Sequence, residues 1–261
     1  MYKFVNTLEN RSIYFYDPIT SGTDNWVPKI TVNINPESGD DGRIVFDGSG
    51  YERSVDRFSE IYADTTVHRG ELILNGGVTY GAAEGEFYGK NSTFTLGTSA
   101  SLSTDAATNR IQANQITMNG VVYVATGGTL ELAAAGGVNF NGSMFTGLGM
   151  NSFGFMNVLG DLTFGEGAAI DLYWDDDFDA LYEGWRQEYR LFGASGSVSG
   201  LENLDLSMFD DYGGFTWNWN QTSGVLTLMY GTGEASVPEP ATLAIVGLGL
   251  AGLGLARRRR K

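Results

Sequence analysis

Residues 115–142 read QITMNGVVYVATGGTLELAAAGGVNFNG, and this stretch decides the fold. Within it, short runs alternate apolar with polar residues at the period of a half-buried strand. The runs are separated by Gly and Asn, residues that favour turns. Similar strand-like segments continue outward in both directions, from Ile13 to Tyr230, and no long helical pattern interrupts them. The sequence therefore predicts an all-β protein.

Two short patterns recur along the chain and favour a β-solenoid. Asn and Gly tolerate the left-handed backbone that tight solenoid corners can require. Asn-Gly also forms ordinary hairpins, so a β-sandwich remains the alternative. A Gly-x-Leu-x-apolar unit begins at Gly70, Gly128 and Gly160, and Asn-Gly pairs begin at Asn75, Asn119 and Asn141.

The repeats over residues 25–170 resemble those of autotransporter passenger proteins and other bacterial adhesin-like β-helices. This resemblance implies a right-handed parallel β-helix whose stacked coils enclose a continuous aliphatic core. Residues 1–170 are accordingly predicted to form a solenoid body.

Residues 171–232 have a different character. An acidic run from Asp175 to Asp179 lies among aromatic residues, and the middle of residues 171–192 could form a short helix. Further strands follow, with Trp217 and Trp219 on one face. A solenoid needs its open end covered, so we predict a C-terminal aromatic cap. The two tryptophans suit either packing beneath this cap, which is favoured, or stacking against carbohydrate.

The formal charge of −15 makes nucleic-acid binding improbable, because the protein repels phosphate backbones. Asp175 to Asp179 could ligate calcium, but the run lacks the glycine and distal glutamate of an EF-hand loop, which favours a solvated turn. There is no cysteine, and His68 is the only histidine. The sequence therefore predicts no catalytic residue, no metal site and no cofactor.

The chain ends in a linker and tail over residues 233–261. Residues 241–256 carry no charge, and as a helix they would reach about 24 Å, against a hydrocarbon core of about 30 Å. Flanking arginines help a short span to insert. We therefore predict a C-terminal transmembrane helix that leaves residues 1–237 outside the cytoplasm. The cytoplasmic stop signal consists of Arg257, Arg258, Arg259, Arg260 and Lys261.

Immediately before this span stand Val237, Pro238, Glu239 and Pro240. The prolines keep the chain extended, so that a processing enzyme could grip it. Pro-Glu-Pro, a short apolar span and a terminal arginine cluster together resemble the PEP-CTERM sorting domain. This resemblance implies recognition by an exosortase in the inner membrane of a Gram-negative bacterium. On the residues alone, a permanent anchor is the alternative.

Such sorting requires export, yet the first residues carry no apolar stretch of signal length. Either the start codon lies further upstream, which is favoured, or the chain is a fragment. The predicted function is that of a non-enzymatic structural or adhesive protein of the cell surface or extracellular matrix. Its expected partners are the exosortase, the membrane through residues 241–256, and exopolysaccharide. An exported polysaccharide-binding or polysaccharide-degrading β-helix protein is the alternative, because 31 acidic residues offer many carboxylate pairs.

Overall fold

The part of the chain that the computed structural model describes consists of strands, joined by turns and one short 3₁₀ helix at Leu201–Asn203. The prediction of an all-β protein is confirmed. No helix in this part is long and apolar enough to cross a membrane. The described residues are 2–6, 11–15, 30–39, 41–50, 58–60, 63–81, 92–149, 152–174, 184–207, 214–220 and 224–231.

Most of the strands belong to three parallel ladders, which we number in the order in which the chain meets them. Ladders 1 and 2 form one 13-stranded sheet, because β6 and β8 each pass through both. Ladder 1 contains β1 (Tyr2–Phe4), β3 (Ile30–Ile34), the first part of β6 (Ala63–Asn75) and of β8 (Thr93–Thr104), β10 (Gln115–Met118), β13 (Val138–Phe140), β16 (Leu162–Phe164) and β20 (Val198–Ser199).

Ladder 2 runs beside it, and ladder 3 forms a separate six-stranded sheet. Ladder 2 contains β2 (Ser12–Phe15), β4 (Arg43–Asp47), the second parts of β6 and β8, β11 (Val121–Val124), β14 (Ser143–Leu148) and β17 (Ala169–Trp174). Ladder 3 contains β5 (Phe58–Glu60), β7 (Thr79–Gly81), β9 (Thr108–Ala113), β12 (Thr129–Ala134), β15 (Phe155–Leu159) and β19 (Phe192–Ala194).

The chain visits the three ladders in turn and then returns to the first, one strand further along. We call one such circuit a rung. In ladder 1, Phe94, Ile116 and Val138 are register partners, and 22 residues separate each from the next. Parallel neighbours need a long connection between them, and here the other two ladders supply it.

Side chains alternate in and out along these strands, as the period of a strand requires. The inward positions are almost all apolar and buried, and they form one continuous core. In its N-terminal half the core contains a row of rings, with centroid distances of 5.2 Å from Phe15 to Phe46, 5.2 Å from Phe46 to Tyr80 and 6.0 Å from Tyr80 to Phe94. The Tyr80 hydroxyl lies 3.1 Å from Oγ1 of Thr65, and burial raises the pKa of this phenol.

The three Gly-x-Leu-x-apolar units lie in three different ladders. The unit at Gly70 is in ladder 2, the unit at Gly128 in ladder 3, and the unit at Gly160 in ladder 1. Both apolar positions of each unit point into the core, as Leu130 and Leu132 do. The unit is therefore a local pattern of strands that bury alternate side chains in the core. It does not recur at equivalent positions on successive rungs.

The Asn-Gly pairs occupy corners, and each glycine lies close to neighbouring backbone. Gly76 has a φ of 70°, in the left-handed region predicted for such corners, and a Cβ on it would overlap the backbone nitrogen of Ser49. Gly120 and Gly142 do not have a left-handed backbone. A Cβ on Gly142 would overlap the carbonyl oxygen of Gly120 on the preceding rung, and one on Gly120 would overlap that of Ala100. Here glycine is needed because neighbouring backbones approach closely.

Replacing Gly142 with alanine is expected to destabilise the protein by about 1–3 kcal/mol, because the added methyl group forces the backbone of a packed corner to move. Chemical denaturation followed by circular dichroism would measure this. Gly50→Ala is the matched control, since nothing lies within 4 Å of a Cβ there. We expect that control to stay within about 0.5 kcal/mol of the parent. Equal stability of the two variants would contradict the close approach at the corner.

Buried asparagines fix the corner between ladders 1 and 2. Asn35 is fully buried, and its Nδ2 donates to the carbonyl oxygens of Gly42 and Arg69 at 2.8 and 3.2 Å. Further along, Nδ2 of Asn141 donates to Oδ1 of Asn119 on the rung before it, at 2.8 Å. These side chains satisfy polar groups inside the turn and hold one rung to the next.

A third, antiparallel sheet lies at the C-terminal side of the chain. Its strands are β18 (Arg186–Arg190), β22 (Val225–Tyr230) and β21 (Phe215–Asn220), with β22 in the centre. Aromatic rings join it to the ladders, and the Phe215 ring stacks on that of Trp174 with centroids 4.8 Å apart. Residues 171–232 also contain β19, β20 and part of β17, which continue the parallel ladders.

The division into body, cap and tail stays a prediction, as does the solenoid. The short helix predicted near Asp175 to Asp179 and the transmembrane helix over residues 241–256 lie outside the described residues.

Candidate functional site

The predicted sorting residues and the predicted binding residues occupy separate parts of the chain. Val237, Pro238, Glu239 and Pro240, and the basic cluster from Arg257 to Lys261, lie outside the described residues, which end at 231. Trp217 and Trp219 are described, and both lie on β21. The structure therefore describes the predicted binding residues and not the predicted sorting residues.

Trp217 and Trp219 lie on the face of β21 that packs against the core. Every second residue of this strand is partly buried, and the residues between them are exposed. The Trp219 ring lies 5.8 Å from that of Phe192, centroid to centroid. Its indole nitrogen is buried, and no acceptor for it is found among the described residues. Burial of an unpaired donor costs free energy, so this group would gain from an acceptor.

These tryptophans also border a groove of about 760 Å³, which we call the β21 groove. β21 is an edge strand of the antiparallel sheet. Residues from both of its faces line the groove, so the groove follows the edge of the strand. Its lining residues are Leu201, Leu204, Leu206, Ser207, Trp217, Asn218, Trp219 and Asn220.

The segment opposite β21 is held in place by local hydrogen bonds. The 3₁₀ helix at Leu201–Asn203 ends where the backbone N–H of Leu204 donates to the carbonyl of Leu201. The Asp205 carboxylate then accepts the backbone N–H of Ser207 at 2.8 Å. This bond and a second from the Ser207 hydroxyl hold the pKa of Asp205 below its usual value. The carboxylate is therefore ionised at neutral pH and keeps Ser207 at the groove.

A second groove, of about 500 Å³, lies on the outer surface of ladder 2. Charged residues along it neutralise one another. Nε of Arg43 lies 2.8 Å from Oε2 of Glu71, which also accepts a hydrogen bond from the Ser103 hydroxyl at its other oxygen. Nε of Arg69 lies 2.9 Å from Oδ1 of Asp41. Exposed pairs of this kind contribute little to stability, and they leave these charges engaged with each other.

His68, a further candidate from the sequence, is not among the described lining residues of either groove. Nε2 of His68 is 2.8 Å from Oδ1 of Asn33, on the neighbouring strand of ladder 1. The acidic run from Asp175 to Asp179 lies outside the described residues. Among the described residues, no three His, Asp or Glu side chains come together where they could hold a metal ion.

Sequence reasoning identified one wall of the β21 groove and missed the other. The sequence predicts strands in this part of residues 171–232, whereas residues 201–207 form a 3₁₀ turn and an extended segment. The spacing of Leu201, Leu204 and Leu206 was the signal available, since three leucines so close together outside a long strand suggest a packed turn.

Comparison with known proteins gives one match. Residues 236–261 match the family model of the PEP-CTERM protein-sorting motif. No curated protein matches the chain. The predicted resemblance of the tail is thereby confirmed, and the match supports export through a C-terminal sorting signal, membrane-associated sorting in a Gram-negative bacterium and processing by an exosortase. The resemblance of the body to autotransporter passengers stays a prediction.

Proposed function

We propose that this chain is a non-catalytic structural or adhesive protein of the cell surface or extracellular matrix, delivered there through its C-terminal tail. The observation that carries the proposal is the sorting motif at residues 236–261. A tail of this kind determines where the protein goes. What the body does there must be argued from the body itself.

We further propose that the body is a right-handed parallel β-solenoid. The parallel pairing of all three ladders supports this, as does the repeated order in which the chain visits them. β-Sandwiches are built from antiparallel sheets, and among the described strands only those of the three-stranded sheet pair in antiparallel fashion. A solenoid buries its core along its whole length and presents long, regular outer faces, which suits a protein that must bridge or coat a surface.

Pairing of the surface charges favours the structural role over catalysis. The ion pairs Arg43–Glu71, Arg69–Asp41 and Arg110–Glu131 each join neighbouring segments on the outside of the ladders. In each pair the carboxylate is engaged by an arginine, an arrangement expected of groups that hold strands in register. A glycosidase would instead need two carboxyl groups facing each other across a substrate.

Cell fractionation and mass spectrometry of the mature C-terminus test this proposal. We expect chains recovered outside the inner membrane to have lost the basic terminus Arg257–Lys261. Recovery of exported chains that still end at Lys261 would contradict processing. Incubation with a panel of polysaccharides tests the non-catalytic role, and turnover of any of them would overturn it.

A further inference from the structure

The β21 groove combines three chemical features. It is lined by two indole rings, by two exposed amide side chains, and by the exposed hydroxyl side chain of Ser207. Three leucines complete its floor. Flat aromatic and aliphatic surfaces beside amides and hydroxyls match a ligand that is apolar on its ring faces and hydroxylated at its edges. Sugar rings have this chemistry.

The charges in and around the groove favour a neutral sugar chain over an acidic one. None of the described lining residues is charged, although the whole chain carries a formal charge of −15. Asp205, which positions Ser207, adds a negative charge close to one wall. A polyanionic chain would therefore be repelled, and a neutral one would not. Four consecutive residues of β21 line it, about 13 Å at the rise of a strand, which suits several linked sugar units better than one.

Strand addition is the competing use of this edge. A polypeptide strand added to the edge of β21 would instead be held by backbone hydrogen bonds, for which these side chains are not required.

We propose that the β21 groove binds a neutral oligosaccharide segment, and that through it the protein attaches to a matrix glycan. The proposal rests on the adhesive role proposed above and gives that role a ligand. Trp217 and Trp219 supply the stacking surface. Asn218, Asn220 and Ser207 supply the hydrogen bonds to sugar hydroxyls.

Isothermal titration calorimetry on the full-length chain in detergent micelles tests this proposal. The probes are cellohexaose, chitohexaose and maltohexaose, with hexagalacturonate as the acidic comparison. We expect at least one neutral hexasaccharide to bind and to change the tryptophan fluorescence. Hexagalacturonate is expected to bind at least about 10-fold more weakly, a difference of roughly 1.4 kcal/mol.

A substitution that blocks the groove tests binding better than removal of Trp217 or Trp219, because these tryptophans also pack against the core. Ser207→Phe places a ring at the groove wall, and Ser199→Phe places the same ring at an exposed serine of β20 outside the groove. We expect the first to weaken binding at least about 10-fold and the second to leave it unchanged. Asn218→Ala, paired with Thr216→Ala on the same exposed face of β21, tests the amide contact in the same way.

Three results would overturn the proposal: no binding of any neutral probe, binding that Ser207→Phe leaves intact, or equal binding of hexagalacturonate. Capture of an extended peptide with unchanged affinity in Asn218→Ala would also overturn it, in favour of strand addition. Failure here is distinguishable from failure of the proposed function, because fractionation and C-terminal mass spectrometry do not depend on glycan binding.

Discussion

Simultaneous replacement of Pro238, Glu239 and Pro240 with alanine is expected to abolish removal of the tail. Chains ending at Lys261 would then accumulate in the membrane fraction, with near-complete loss of the processed form. The sequence predicts that the two prolines keep this segment extended and that Glu239 places a charge at the edge of the predicted span. Mass spectrometry of the C-terminus and fractionation measure the result.

The matched control is Glu234→Ala, which removes a carboxylate from the linker before residues 236–261, the span of the sorting motif. It lowers the negative charge by the same amount as loss of Glu239 and leaves the prolines in place. We expect it to be processed like the parent chain. Normal processing of the alanine triple variant would mean that the apolar span and basic end suffice for recognition.

Phe140→Ala is expected to destabilise the body by about 3–5 kcal/mol, because a fully buried ring is lost and a cavity remains. Phe140 lies in ladder 1, and its ring meets that of Phe164 on the next rung at a centroid distance of 5.9 Å. Removal of the Phe140 ring therefore weakens the packing of two neighbouring rungs. Chemical denaturation followed by circular dichroism would measure it.

Tyr123→Ala provides the comparison. Its ring points outward from ladder 2, is 39% exposed, and stacks on Phe145 at a centroid distance of 5.2 Å. We expect a loss of about 1 kcal/mol, the scale of one aromatic pair. Similar losses for the two variants would mean that the core is not continuous through Phe140.

The inward residues of the strands could be predicted because their signal is local. Alternation with a period of two places Leu130 and Leu132 on the same face whatever the rest of the chain does. The corners could be predicted only in part. An Asn-Gly pair indicates the left-handed backbone of Gly76, but it does not indicate the close approach of Gly142 to Gly120, 22 residues earlier in the chain. No local pattern contains that distance.

The β21 groove, like the corners, could be predicted from the sequence only in part. Trp217 and Trp219 stand out in the sequence because they are large aromatic residues on one face of a strand. Their partners at residues 201–207 come from a different segment, and only the folded chain brings the two together. The sorting motif was readable in full because its proline, apolar and basic parts follow one another directly along the chain.

The position of β22 has a mechanical consequence. This strand ends at Tyr230, shortly before the tail, and hydrogen-bonded neighbours flank it on both sides. Any tension that reaches the body through its C-terminal attachment would therefore enter at a central strand. Pulling β22 out of the sheet would require its hydrogen bonds to β18 and to β21 to break together. An edge strand is held on one side only. A protein tethered by its tail would thus resist being pulled open at the point where it is held.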